Sequence, residues 1–576
     1  MSSKTEEKAI RCVEDVVDKS KLLKSLLDKN DKTPSWDGEI YVYNTSNHRK
    51  DNLKGKVPVQ VKGTNVKKFS AKTKSFPIQV SDLLNYFHEG GILFFVVEIN
   101  KRLETKIFYI CLLPLDIKTL LAKAMEGQKS ISGKLTYLAK SSKLQNICRS
   151  FLHNRKLQYS TVRQGDKNRE LEEFNIIDFT VFVDDKTTIS DHVLNNEIYL
   201  YGRECEESIP TPLGKSKAEQ ISYQIDSNIS VDSVVYFESC KMVKSKNKDF
   251  IVVNENINFN INDNIMHFNS KGNLSTRLKE TEFIINVIKN GYFCVEEARF
   301  EVLNIPGKKR VAIQQYYSNL LKTEKVLNLY NIKEDLEMDS LTNKDYKNLN
   351  IFIDININKR KIKSKLSRSN FSLIKIGNIH IAIFILVDIN RYMNIINLFG
   401  NKEKLPKCIY TYNECEYEGC IYTLLTTDYI LKANNLNLQI VKESIKSAPF
   451  SEQHRRAVTQ LVLNLITAYD LDNNFKESIS LALEICRWLE HHDNIDTVTK
   501  LNKYQILKRM RGLYTSEKHE LLGLREIEKD KPVVLCGINI LLDNKTDFEY
   551  YFDKLTTEER EEFKRYPISN ISNLQK

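Results

Sequence analysis

The sequence predicts a multidomain protein with an α/β N-terminal domain, a β-rich mixed α+β middle region and an α-helical C-terminal region. Its 576 residues are more than a single hydrophobic core usually serves. Helix and strand patterns alternate up to about residue 125, strand-like runs dominate from about 155 to 445, and apolar residues recur at helical spacing after about 450. We therefore expect domains at residues 1–150, 151–445 and 446–576.

The N-terminal domain begins with a predicted amphipathic helix over residues 6–27, where apolar residues recur every three or four positions. Strands follow at 40–43 and 57–62, and the polar segment between them predicts a hairpin with a long loop. Further elements are predicted in the order strand, helix, strand, strand, helix, at 76–80, 81–87, Ile92–Ile99, 106–113 and 115–124. This order predicts a compact α/β unit with a mostly central sheet.

The middle region is predicted to form one or two α+β modules with a sensing or binding role. Its strand-like runs lie at 176–183, 233–237, 250–253, 257–261, 351–357, 373–376, 380–387 and 421–425, with helices at 276–289 and 313–325. The C-terminal region is predicted to be helical, with helices at 451–469, 475–489, 497–513 and 556–565, of which the first are expected to pair as antiparallel hairpins. We expect this last region to serve interaction with a partner protein or homo-oligomerisation.

Composition limits the class of protein only loosely. The N-terminus is charged and lacks the apolar segment of a signal peptide, and the longest apolar runs, 92–97 and 381–387, are far shorter than the roughly 20 residues of a membrane span. Eleven scattered cysteines favour free thiols over a disulfide framework. We therefore expect a cytoplasmic protein without a membrane partner. The net charge of +11 is compatible with nucleic-acid binding but is weak evidence for it.

The residues with the clearest chemical meaning lie at Ser35–Glu39 and Val57–Thr64. In the strand at 57–62, side chains alternate between faces, so Gln60 and Lys62 share one face about 7 Å apart. A hairpin places Asp37, at the start of the preceding strand, beside Gln60. A carboxylate and an amide carbonyl are the oxygen ligands that Mg²⁺ prefers, and a nearby lysine can orient water or stabilise negative charge in a transition state.

This arrangement resembles the PD-(D/E)xK nuclease superfamily. The resemblance covers residues 4–125: a helix, Asp37-Gly38, a strand reading V-x-V-Q-V-K-G-T, an aromatic-bearing strand and Gly90-Gly91 before an apolar strand. It is closest to the Mrr-like branch and its bacterial relatives, in which glutamine replaces the second acid. The resemblance implies a restriction-endonuclease-like α/β fold and Mg²⁺- or Mn²⁺-dependent endonuclease activity on nucleic acid, with DNA favoured. Nucleases joined to large unrelated modules resemble prokaryotic defence effectors against phage or plasmids.

The family pattern assigns Asp37, Gln60 and Lys62 as the catalytic residues. It adds a glutamate near the start of the first helix as a metal ligand, for which Glu6 is the match, with Glu7 or Glu14 as substitutes. The metal ligands would then be Glu6, Asp37 and Gln60. The lysines of the following loop are expected to guide the phosphate backbone, namely Lys67, Lys68, Lys72 and Lys74.

Two alternatives remain open at the level of sequence. A strand reading Val-Gln-Val-Lys is also typical of any half-exposed strand, with Asp37-Gly38 as an ordinary turn. The domain could also retain the nuclease fold without activity and act as a nucleic-acid-binding or assembly subunit. In that case the basic run at 359–365 and the C-terminal helices would be the functional surfaces.

Overall fold

A computed structural model describes residues 3–28, 35–163, 171–183, 187–303, 306–492 and 496–571. Within these ranges the helices are α1 Ser3–Val17, α2 Val80–Glu89, α3 Pro114–Leu121, α4 Ser142–Arg163, α5 Ile189–Asn195, α6 Leu274–Asn290, α7 Gly307–Leu329, α8 Asn343–Asn356, α9 Thr427–Lys432, α10 Leu438–Ser447, α11 Glu452–Leu471, α12 Lys476–His492, α13 Thr497–Arg511, α14 Thr515–Ile527, α15 Pro532–Leu541, α16 Lys545–Asp553 and α17 Thr557–Arg565. None of these helices combines the length and apolar character needed to cross a bilayer.

The strands in the same ranges are β1 Leu23–Leu27, β2 Gly38–Tyr43, β3 Leu53–Asn65, β4 Thr73–Gln79, β5 Ile92–Ile99, β6 Thr105–Leu112, β7 Ser130–Tyr137, β8 Ile176–Asp178, β9 Ile198–Arg203, β10 Thr211–Ser216, β11 Gln220–Ile225, β12 Ile229–Val231, β13 Val234–Phe237, β14 Cys240–Ser245, β15 Asp249–Val252, β16 Ile257–Asn260, β17 Ile265–Phe268, β18 Tyr292–Val295, β19 Ala298–Glu301, β20 Ile362–Lys363, β21 Asn370–Ile376, β22 Ile379–Val387, β23 Tyr392–Asn397, β24 Cys408–Tyr412 and β25 Cys415–Gly419. The protein is thus mixed α/β with a helical C-terminal region, as the sequence predicts.

The chain divides into two compact units. Unit 1 comprises residues 1–226, 239–252 and 259–263, and unit 2 comprises residues 227–238, 253–258 and 264–576. Unit 1 is built on a seven-stranded sheet with the order β1-β2-β3-β5-β6-β7-β4. Neighbouring strands are antiparallel except for β3 and β5, which run parallel.

Helices cover both faces of the seven-stranded sheet. One face carries Val59 and Val61 of β3 and packs against apolar residues of α1 and α4, such as Val13 and Phe151. The other face packs against α2 and α3, whose buried residues include Tyr86. Because side chains alternate along a strand, Gln60 and Lys62 belong to the α2 face. The sheet therefore separates the apolar half of β3 from its polar half, as the alternation predicts.

Unit 2 contains smaller antiparallel sheets and most of the helices. The order β20-β23-β22-β21 gives a four-stranded sheet, on which α8 packs, and β13-β12-β18-β19 gives another. After residue 450 the chain is helical, and successive helices from α11 to α13 pack on one another around a large apolar cluster. The helices predicted at 451–469, 475–489 and 497–513 correspond to α11, α12 and α13, which pack on one another in succession.

Three predicted elements differ from the structure. The helix predicted over residues 6–27 ends at Val17, and the leucines that follow form the edge strand β1, which pairs with β2. Leu23 and Leu27 share a face in either periodicity, whereas Leu26 suits only the helix and is exposed in β1. Pairing with β2 decides between the two. The strand predicted at 351–357 is the end of α8, which the capping box of Thr342 and Asp345 starts and buried Leu349, Phe352 and Ile353 stabilise. Residues 421–425, also predicted as a strand, form a short 3₁₀ turn.

A buried ion pair fixes the loop between β3 and β4. Glu98 of β5 is 1% exposed and accepts hydrogen bonds from Lys74 Nζ at 2.6 Å, Ser70 N at 2.8 Å and Ser70 Oγ at 2.7 Å. Burial alone would raise the pKa of the Glu98 carboxyl, but these hydrogen bonds outweigh burial and lower the pKa. The ionised form of Glu98 is therefore the one that suits the fold.

Replacing Lys74 should destabilise unit 1 strongly. Lys74→Ala leaves Glu98 buried with two neutral donors, and loss of one partner of a buried pair costs about 3 kcal/mol. The exposed Lys72→Ala on the same loop should change the free energy of unfolding by less than about 0.5 kcal/mol. Urea unfolding of both variants at pH 7 measures the difference. Equal stability of the two variants would show that the pair contributes nothing.

Candidate active site

The candidate site lies where β2 begins beside β3. Gly38 is the first residue of β2 and pairs with Val59, so β3 continues past this point without β2 as a neighbour. The backbone N–H of Val61 would lack a strand partner on that side. The Asp37 carboxylate supplies one, because its Oδ2 accepts the Val61 N–H at 2.6 Å. Asp37 is thus both the end of one strand and a hydrogen-bond partner of the next.

Gln60 and Asp37 are in direct contact. The Gln60 Nε2 donates a short hydrogen bond to the same Oδ2 atom of Asp37. Gln60 is 3% exposed, whereas Asp37 and Lys62 are partly exposed. The hairpin therefore brings together the first two residues of the predicted set, with Gln60 on the inner side and Asp37 nearer the solvent.

The electrostatics of Asp37 show which other charges are close. Burial raises the pKa of the Asp37 carboxyl above its ordinary value, and the negative charge of Glu6 raises it further. The Val61 N–H, the positive charge of Lys62 and the Gln60 amide act in the opposite direction but do not cancel the effect of burial. Glu6 and Lys62 are therefore both near enough to influence Asp37.

A close approach of α1 to β3 explains how Glu6 reaches this region. A Cβ atom at Gly63 would lie 2.7 Å from the Thr5 carbonyl oxygen and 3.2 Å from the Ala9 side chain. Only glycine at this position lets the first turns of α1 lie directly on β3. Gly63 of the strand motif and the first turns of α1, which carry Glu6 and Ala9, therefore depend on each other for this contact.

The turn that carries Asp37 is held from two directions. Gly38 has φ of +137°, and a Cβ atom there would lie 2.1 Å from the Leu26 carbonyl oxygen of β1. On the other side, Ser35 Oγ donates to Asp82 Oδ1 at 2.8 Å and accepts from Asn85 Nδ2 at 3.0 Å. Asp82 and Asn85 are on α2, so this helix anchors the Ser35–Asp37 segment. Sequence reasoning missed both residues, since their partner is distant in the chain.

Two buried polar atoms beside Asp37 have no hydrogen-bond partner among the described residues. They are Trp36 Nε1 and the Tyr86 hydroxyl, whose rings meet edge to face with centroids 6.1 Å apart. Burial raises the pKa of Tyr86, and the charges of Asp82 and Asp37 raise it further. An unsatisfied buried donor costs about 1–3 kcal/mol. Trp36 packs against the α2-side core, and the region around Asp37 is costly to maintain.

Glu6, Asp37 and Gln60 are the residues of the site that could bind a divalent ion. No group of three or more His, Cys, Asp or Glu side chains suited to a metal occurs in the described ranges. The candidate set offers two carboxylates, of Glu6 and Asp37, and the amide oxygen of Gln60. Both hydrogen bonds recorded for the Asp37 carboxylate end on Oδ2, which leaves Oδ1 for another partner. Mg²⁺ retains several waters and uses one or two carboxylates, a requirement that the donor types of Glu6, Asp37 and Gln60 meet in composition.

The four lysines assigned to phosphate contacts have different surroundings. Lys67, Lys68 and Lys72 are exposed on the loop between β3 and β4. The Lys74 side chain is only 13% exposed, and its ammonium is engaged with Glu98. The first three are free to contact a polyanion, whereas Lys74 holds the loop that carries them.

Replacing Asp37 should remove an electrostatic cost from the fold. A raised pKa means that the neutral carboxyl stabilises the folded state, fully so below the ordinary value of 3.8, and that this contribution is lost as the pH rises through the folded-state pKa. Asp37→Asn stays neutral and keeps an oxygen for the Val61 N–H. We expect the variant to be more stable than the wild type at pH 8 in EDTA, and the difference to vanish near pH 4. Urea midpoints across this range provide the measurement, and a variant less stable at pH 8 would contradict it.

Comparisons of this chain with models of protein families, with curated proteins and with solved structures give no match.

Proposed function

We propose that unit 1 is a metal-dependent endonuclease that hydrolyses phosphodiester bonds of nucleic acid, with DNA as the favoured substrate. The proposal rests on the hydrogen bond between Gln60 and Asp37. It rests also on the charges of Lys62 and Glu6, which shift the pKa of Asp37 in opposite directions. If Asp37-Gly38 were an ordinary turn and β3 an ordinary half-exposed strand, the fold would gain nothing from a half-buried Asp37 carboxylate that is costly to ionise. Such an arrangement is typical of functional sites.

The roles of the residues follow from their chemistry. Asp37, Glu6 and the Gln60 amide oxygen would hold Mg²⁺ or Mn²⁺, which when bound neutralises phosphate charge and lowers the pKa of a coordinated water. Gln60 presents its amide nitrogen to Asp37 in this structure, so holding a cation requires the amide to turn over. Lys62 carries a positive charge at the same place and stabilises negative charge that develops on the phosphate. The exposed Lys67, Lys68 and Lys72 bind the flanking backbone.

The remainder of the chain supports a regulated role. Unit 2 is larger than the seven-stranded sheet and its helices, and it supplies room for target sensing or partner binding. A small nuclease-like domain joined to large modules has the layout of the prokaryotic defence nucleases that residues 4–125 resemble. We therefore propose that cleavage serves defence against phage or plasmid DNA.

Lys62→Ala is the direct test of the enzyme. Loss of a charge that stabilises the transition state should reduce the cleavage rate about 100-fold or more with either Mg²⁺ or Mn²⁺. The matched control is Lys68→Ala, an exposed lysine of the adjacent loop, for which we expect a change of less than about tenfold through weaker substrate binding. Initial rates on plasmid and single-stranded substrates measure both.

Equal rates for the wild type and Lys62→Ala in both metals would refute the proposal. Binding of nucleic acid without cleavage by the wild type would favour an inactive nuclease fold that acts as a binding or assembly subunit. Thermal unfolding of each variant ensures that a lost rate is not lost structure.

Glu6→Gln tests the third metal ligand. Removal of one of two carboxylates should shift the Mn²⁺ concentration for half-maximal activity upward by about tenfold, with recovery at high Mn²⁺. Glu7→Gln, one position along α1, is the matched control and should leave the midpoint unchanged. The same Mn²⁺ midpoint in Glu6→Gln and the wild type would exclude Glu6 as a ligand.

A further inference from the structure

One surface of unit 2 carries a strong local excess of positive charge. Between residues 351 and 400 the chain has eight Lys or Arg residues against two Asp, an excess of six, which is more than half of the net charge of +11 of the whole chain. All eight cations are exposed. Seven of them lie outside β21, between the end of α8 and the start of β23. We call them the basic edge: Lys359, Arg360, Lys361, Lys363, Lys365, Arg368 and Arg391.

The two acidic residues do not neutralise the basic edge. Asp388 Oδ1 accepts backbone N–H groups from Asn390 at 2.9 Å and Tyr392 at 2.7 Å, and so is used in the β22–β23 turn. Asp354 accepts the Asn358 amide at 2.7 Å and pairs with Arg360 at 3.2 Å. Within the described ranges the other six cations form no ion pair. Their charge is therefore available to an anionic partner.

The pairing of β20 with β23 brings Lys361, Lys363 and Arg391 to one edge of the sheet. Lys363 of β20 pairs with Tyr392 of β23, and the next residue, Ser364, donates its N–H to the Arg391 carbonyl oxygen at 2.7 Å. Ile362 packs against the apolar core beneath the sheet, so its neighbours Lys361 and Lys363 project away from that core. Lys363 is thus held in a strand, and Lys361 and Arg391 lie next to the paired strands β20 and β23.

A groove with an aromatic wall adjoins the basic edge. Its volume is 280 Å³, and its lining combines three cations, Lys359, Arg360 and Lys361, with Tyr392, Asp388 and apolar side chains. Lys361 Nζ lies 5.9 Å from the centroid of the Tyr392 ring. Proteins that bind single-stranded nucleic acids share two features. One is a row of cations along the phosphate backbone, and the other is an aromatic ring on which a base can stack.

We propose that the basic edge and its groove bind a single-stranded segment of nucleic acid, with phosphates on Lys361, Lys363 and Arg391 and a base against Tyr392. A lipid surface would also contact the cations, but a groove beside Tyr392 that can take up a planar base favours a nucleic acid. The proposal extends the proposed function by giving unit 2 its own contact with nucleic acid. It does not depend on cleavage at Asp37.

The test measures binding of a fluorescent oligothymidylate of about 20 nucleotides to the full chain in EDTA, so that metal-dependent cleavage is excluded. The double variant Lys361→Glu/Lys363→Glu should bind at least about tenfold more weakly at 100 mM salt. It should also reduce the slope of log affinity against log salt by about 1.4, because each lost contact to a single strand removes about 0.7. Tyr392→Ala should weaken binding about tenfold with an unchanged salt slope.

The matched control is Lys518→Glu/Lys529→Glu, which makes the same change of charge at exposed lysines outside the basic edge. It should alter the affinity less than twofold. Equal weakening in both double variants, or none in Lys361→Glu/Lys363→Glu, would overturn the proposal. So would tighter binding of a duplex of the same length, or binding of the wild type to vesicles with anionic lipid but not to the oligonucleotide.

Failure of this proposal and failure of the proposed function are distinguishable. Loss of binding in Lys361→Glu/Lys363→Glu with no cleavage by the wild type supports the basic edge and refutes the nuclease. Cleavage that requires Lys62 together with unchanged binding in the double variant does the reverse. Unchanged thermal unfolding of all variants ensures that the effects are local.

Discussion

The hydrogen bond from the Val61 N–H to the Asp37 carboxylate is the interaction on which the candidate site depends. β3 extends beyond the end of β2, so the Val61 N–H has no partner on a neighbouring strand there. A buried backbone donor without a partner is costly. A side chain completes the sheet where a strand would otherwise be needed. The same carboxylate accepts Gln60, so secondary structure and site chemistry share one group.

Much of unit 1 follows from local pattern, because its strands are amphipathic or fully buried. The apolar run Ile92–Ile99 and the alternation around Val59 and Val61 match β5 and β3. The start of β1 was not predictable, since Leu23–Leu27 becomes a strand only through pairing with β2. Alternating isoleucines in α8 predicted a strand for a similar reason, as the helix depends on packing against a distant sheet. Non-local pairing decided the outcome in both cases.

The residues of the candidate site also fall into those that the local sequence pattern predicts and those that depend on distant contacts. The alternation of one strand was enough to place Gln60 and Lys62 on a common face, and the hairpin was enough to bring Asp37 to Gln60. The support from α2 could not be predicted, because Asp82 and Asn85 meet Ser35 only after the sheet has folded. The buried Glu98 was equally invisible, since a single acid in an apolar strand gives no sign of its partner Lys74. Sequence thus predicts the residues of a site better than the residues that hold it in place.

The position of β4 has a consequence for how unit 1 folds. β4 follows β3 along the chain but lies at the far edge of the sheet, where it pairs with β7. It therefore has no partner until Ser130–Tyr137 has been synthesised. Such long-range pairing slows folding and leaves a strand edge open to other chains. Pro77, in the middle of β4, has no N–H to offer a foreign strand. The proline therefore limits aggregation of the half-made sheet during synthesis and of its permanent edge afterwards.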